Sequence, residues 1–98
     1  MNNLNLDEKY ITFIKSTVQT VFDDTEIYIF GSRTQNQSYK YSDVDIALKG
    51  KQKLDITKIL ALKAKFHDSA FPYKVDIVDF NTLDKNFLSL IKPDMIKI

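Results

Sequence analysis

Residues 43–48 read Asp, Val, Asp, Ile, Ala, Leu, and this alternation constrains the fold more than any other feature of the chain. Successive strand side chains point to opposite faces, so Val44, Ile46 and Leu48 must cover a core while Asp43 and Asp45 share the other side. Such a strand needs partners and a cover, and its neighbours in sequence supply both. Upstream, Ile11, Ile14, Val18, Val21 and Phe22 recur at helical spacing behind a capping Asp7, which predicts a helix over 7–22. The β-branched and aromatic run 26–30 predicts a strand that ends at Gly31, and 33–42 is a polar stretch without period. Downstream of the basic loop 50–53, Ile56, Ile59, Leu60 and Phe66 predict a helix over 55–69 that Pro72 forbids from continuing. A third strand is expected over 73–80. Thr82 then caps a short helix carrying Leu83, Phe87, Leu90 and Ile91, and 95–98 adds a brief edge strand. Helix, strand, loop or short helix, strand, helix, strand, helix is the order of an α/β or α+β layer with helices packed on a small sheet.

With 98 residues, 44% of them hydrophobic, the chain fits one core and one domain over 1–98. Fourteen Lys and Arg against 13 Asp and Glu leave a formal net charge of +1, too little for a broad field that would hold duplex nucleic acid. The absence of cysteine excludes disulfides, thiolate zinc and cysteine catalysis, and suits a reducing cytoplasm. No apolar run approaches the roughly 20 residues of a membrane helix, and the first residues lack the pattern of a signal peptide, so the expectation is a soluble, cytoplasmic protein.

Gly31 and Ser32 end the first strand, where a glycine lets backbone N–H groups approach a phosphate and a serine hydroxyl adds a donor. Taken alone, the pair reads as an ordinary strand-to-loop turn. Asp43 and Asp45 project from one strand face, either as a solvated surface or as a site for hard cations. Asp76, between Val75 and Ile77, joins them if its strand is a neighbour. Three carboxylates near a phosphate-binding turn suit Mg²⁺, which prefers oxygen ligands, and two ions about 3.5 to 4 Å apart would clamp the oxygens of an in-line displacement at phosphorus. Nucleotidyl transfer follows from that arrangement better than hydrolysis of a sugar or an ester.

Gly31-Ser32, ten residues, Asp43-Val44-Asp45 and a later strand bearing Asp76 together resemble the DNA polymerase β-type nucleotidyltransferase superfamily. Its minimal nucleotidyltransferase domains, the antitoxin halves of HEPN and MNT toxin-antitoxin pairs, are the nearest likeness. The resemblance implies the nucleotidyltransferase fold with a small mixed sheet. It implies that Gly31 and Ser32 hold the triphosphate of ATP and that Asp43 and Asp45 bind two Mg²⁺ ions. Asp76 would complete the metal site and help activate the incoming hydroxyl. Arg33 matches an arginine that commonly follows the Gly-Ser, where it steadies phosphate or the loop. The chain departs from the family after that point, with Thr34, Gln35 and Asn36 in place of a small residue, an arginine and a glycine.

His67, Tyr39, Tyr41 and the lysines at 49, 51 and 53 carry weaker signals: a helix-end residue, loop aromatics and a solvated basic loop account for them. The leading reading is transfer of AMP from ATP to a hydroxyl of a protein partner, because a chain of this size has no room for an acceptor domain. By the resemblance, that partner is a HEPN-type ribonuclease toxin and the acceptor a tyrosine. The alternatives are a non-catalytic antitoxin that occludes the toxin, and a small-molecule nucleotidyltransferase whose homodimer interface builds the acceptor pocket.

Overall fold

The computed structural model describes residues 4–34 and 43–98. Helix α1 spans Glu8–Gln19, and the Asp7 side chain caps it by accepting from the Lys9 N–H. It stops short of the expected residue 22 because Thr20 donates both its N–H and its hydroxyl to the Thr17 carbonyl, tightening the last turn. Phe22 is buried all the same, carried inward by the turn that follows. Strand β1, Glu26–Phe30, matches expectation and leads into a 3-10 turn, Gly31–Thr34. Strand β2 is Val44–Lys49 and helix α2 is Ile56–His67, capped by Asp55.

Strand β3, Val75–Asp79, is shorter than 73–80: a bend at Tyr73 delays its start, and Phe80–Thr82 turns into a 3-10 segment capped by the Asp79 side chain. This turn also overrides the expected cap at Thr82, whose hydroxyl donates back to the Asp79 carbonyl. Helix α3, Lys85–Ile91, starts instead behind Asp84, which accepts from the Asn86 N–H. Strand β4, Ile96–Lys97, forms the expected edge.

The sheet order is β3-β2-β1-β4. β1 runs antiparallel to β2 and to β4, whereas β2 and β3, joined through the α2 crossover, are parallel. α1 and α2 cover one face of the sheet, where Ile14, Val18, Ile29, Val44, Ile46, Leu48 and Leu62 are fully buried. Each such aliphatic side chain contributes roughly 1.5 to 3 kcal/mol by leaving water. The α3 side forms a smaller cluster of Phe30, Ala47 and Ile91, joined by Tyr28, Val78, Phe80, Leu83, Leu88 and Met95. The fold is therefore a mixed four-stranded sheet with helices on both faces. No helix among the described residues is long and apolar enough to cross a membrane.

Candidate active site

The register of the sheet brings the acids together. Asp45 is the partner of Phe30 on β1 and of Asp76 on β3, so the three form one row across adjacent strands. Paired positions on neighbouring strands share a face and stand about 4.8 Å apart. Asp43 precedes β2 by one residue, and its place two residues before Asp45 gives it the same side. The next row along, Tyr28, Ala47 and Val78, belongs to the cluster beneath α3, so the acids begin where that cover ends. Phe87 of α3, 40% exposed, meets Phe30 edge to face with ring centroids 6.2 Å apart and walls the β1 end of the row.

Asp43 and Asp76 are exposed, whereas Asp45 is half-buried. Burial pushes the Asp45 carboxyl above its usual range, and the charges of Asp76 and Asp43 push it further in the same direction. The ion pairs Lys51–Asp24 and Lys97–Glu26, each 3.4 Å, lie elsewhere. Among the described residues no three His, Cys, Asp or Glu side chains are grouped tightly enough to hold a metal ion unaided. The donor set nevertheless fits a hard cation that also takes phosphate oxygens, since it consists of carboxylates whose mutual repulsion such a cation would relieve.

Gly31 stands against the same carboxylate. Its φ is 81°, which L side chains rarely adopt, and a Cβ built on it would overlap the Asp45 Oδ2. The turn is closed by the Thr34 hydroxyl, which donates to the Gly31 carbonyl at 3.0 Å. Ser32, half-buried, follows Gly31 in that turn.

Arg33 goes the other way. It is 4% exposed, its Nη1 donates to the Asn5 carbonyl at 3.1 Å, and its guanidinium carbon lies 4.3 Å from the centroid of the Tyr73 ring. Tyr73 packs with the cluster beneath α1 and α2, so Arg33 reaches toward the face opposite the acids. Of the two roles that the resemblance offered this arginine, these contacts fit steadying the loop. Neither Asn5 nor Tyr73 was legible as a site residue, because nothing in local spacing signals contacts so distant along the chain.

Asp79 and the residues with weaker signals fall into structural places. Asp79 is buried on the α2 side, where its carboxylate accepts from the N–H groups of Leu54 at 2.7 Å and Asn81 at 3.0 Å. His67 is exposed in the last turn of α2. Lys49 lies across Phe80, 5.0 Å from the ring centroid, and Lys51 pairs with Asp24 as a surface residue does. Tyr39 and Tyr41 lie outside the described residues.

Comparison with known proteins bears on the family and the fold. Residues 12–96 match the model of the polymerase β nucleotidyltransferase family. A Haemophilus influenzae protein named as a probable protein adenylyltransferase, MntA, is 30% identical over 89 residues, covering 91% of this chain and 78% of its own length. A chain of a crystallised toxin-antitoxin with AMP-PNP superposes with a TM-score of 0.75 at 26% identity, over 94% of this chain and 72% of that one. A chain from the complex of tri-AMPylated Shewanella oneidensis HEPN toxin with MNT antitoxin shares the fold, with a TM-score of 0.67 at 24% identity over 88% of this chain and 66% of that one. With the family match running from residue 12 to residue 96, through nearly every element, and a relative at 30% identity, the chain belongs to the polymerase β-type nucleotidyltransferases.

Proposed function

We propose that this protein is an antitoxin that transfers AMP from ATP to a tyrosine hydroxyl of a HEPN-type toxin, with Mg²⁺ held by Asp43, Asp45 and Asp76. The observation that carries the reading is the register: Asp45 lies beside Asp76 on one side, while the Gly31 turn presses on its carboxylate. Family membership and the relative named as an adenylyltransferase support the reaction type, and the complexes of similar fold support the kind of partner.

In this mechanism the backbone N–H groups of the Gly31–Ser32 turn and the Ser32 hydroxyl take the β- and γ-phosphates, leaving the α-phosphate over the acid row. Bound Mg²⁺ supplies charge neutralisation of the triphosphate and of the acceptor oxygen. Asp76, at the outer end of the row, receives the proton of the acceptor hydroxyl, whose oxygen bonds to the α-phosphorus as pyrophosphate leaves. Arg33 braces the turn without touching the phosphates. Residues 1–98 act as one nucleotidyltransferase unit, and the acceptor reaches the row from outside.

The test is to co-express the protein with a HEPN-type toxin from an adjacent gene and weigh the toxin intact by mass spectrometry. The expected result is a gain of one or more adenylyl groups with wild type and none with Asp76→Asn, although the two proteins still co-purify. A toxin that is neutralised but never gains mass overturns the enzymatic reading in favour of occlusion.

A further inference from the structure

The Gly31–Thr34 turn follows β1 and Asp76 stands on β3, two strands away, and the Arg33 side chain makes a contact between them on the opposite face of the sheet. Arg33 is the link. Its carbonyl accepts from the Asn5 N–H at 2.7 Å while its Nη1 donates to the Asn5 carbonyl at 3.1 Å, so the segment ahead of α1 grips it by both ends. Its guanidinium lies on Tyr73, which stands just ahead of the strand that carries Asp76. Tyr73 is in turn fixed edge to face by Tyr10, with centroids 5.4 Å apart, and by Phe71 at 5.7 Å. The guanidinium is withdrawn from water, which strengthens its attraction to the ring face.

We propose that Tyr73 is a positioning residue for the nucleotide: through Arg33 it holds the Gly31–Ser32 turn at a set place relative to the Asp76 strand. This rests on the nucleotidyl-transfer reading above. The covalent path from Tyr73 to Asp76 is short, and so is that from Arg33 to Ser32. The stack therefore ties the phosphate end of the site to its third acid without either partner reaching substrate. A link of this kind acts on the bound triphosphate in ground state and transition state alike. Its loss raises KM for ATP more than it lowers kcat.

Three variants separate this role from general packing. Tyr73→Leu removes the ring, Tyr73→Phe keeps its face, and Tyr10→Leu loosens the same aromatic group without touching Arg33. KM and kcat for ATP are measured with Mg²⁺ and the protein acceptor, and ATP affinity is measured separately by calorimetry. The stack predicts that Tyr73→Leu raises KM and the dissociation constant about five- to tenfold with kcat within about twofold, part of the roughly thirtyfold that a fully desolvated cation–π contact is worth. Tyr73→Phe keeps wild-type values, and Tyr10→Leu, which loosens Tyr73 only indirectly, lowers the melting temperature with a rise in KM below about twofold. Equal KM in wild type and Tyr73→Leu overturns the proposal, as does an equal rise in Tyr10→Leu. If Tyr73→Leu does not fold, Arg33→Lys and Arg33→Met replace it, and equal KM in both overturns the proposal. Wild-type protein that neither binds nor uses ATP defeats the underlying reading instead, a result distinct from all of these.

Discussion

Asp45 holds its place against its own electrostatics. Its carboxyl is pushed upward by burial first, and then by Asp76 and Asp43, so the folded state binds its proton more tightly than the unfolded chain does. The sign follows directly: folding is helped below the unfolded carboxylate range, and that help is lost as pH rises through the raised folded value. Asp45→Asn should therefore raise the melting temperature of the nucleotide-free protein at neutral pH, with the gain shrinking toward pH 3. At the same time, Asp43→Asn and Asp45→Asn should each cut Mg²⁺-dependent transfer from labelled ATP at least about a hundredfold, as expected for groups acting on the transferring phosphoryl group. Thermal scans across pH and a transfer assay check the two halves; a variant with near wild-type turnover removes that acid from the site. Gly31 makes a complementary case, since both its backbone angle and the Asp45 carboxylate exclude a side chain. Gly31→Val should cost about 1 to 3 kcal/mol of stability through backbone strain alone. It should also weaken ATP binding more than about tenfold by calorimetry, a loss of at least 1.4 kcal/mol. Gly50→Ala is the contrast: a Cβ there would meet the movable end of Leu54 at 2.7 Å, at the far end of β2.

At the level of elements, β2 was the most legible because its period and its chemistry agree. Val44, Ile46 and Leu48 are fully buried, and Asp43 and Asp45 lie on the side the alternation assigned them. Val44→Asp should accordingly destabilise the domain by about 3 kcal/mol or more, as an unpaired charge in a core does, and urea titration reads it. A soluble, active Val44→Asp protein would mean that the strand register is reversed. α1 and α2 were legible for a similar reason, since Asp7 and Asp55 cap apolar periods that bury Ile14, Val18, Ile59, Leu62 and Phe66. The miss at Thr82 has a specific cause. Asp79 and Asp84 each cap a turn within a few residues of it, and only tertiary placement of Asp79 decides which hydroxyl or carboxylate is left for α3. Ala47 was read simply as part of the alternation, whereas α3 makes its face a second core, which no local period of β2 announces.

For the whole molecule, the element order was readable, but the neighbourhood of strands was conditional. Asp76 could be placed near Asp45 only if β3 pairs with β2, and sheet order depends on how the helices pack and not on strand composition. The observed pairing is parallel, with α2 between its two strands. That has a kinetic consequence. A hairpin can form from local contacts, but Asp45 and Asp76 meet only after a long crossover has closed, which is the slow, entropically costly kind of contact. Repelling carboxylates add nothing to draw those strands together, so the apolar residues on the two faces must do so. Nucleotide-binding competence should thus arise with the final cooperative step of folding, leaving partly folded chains unable to capture ATP.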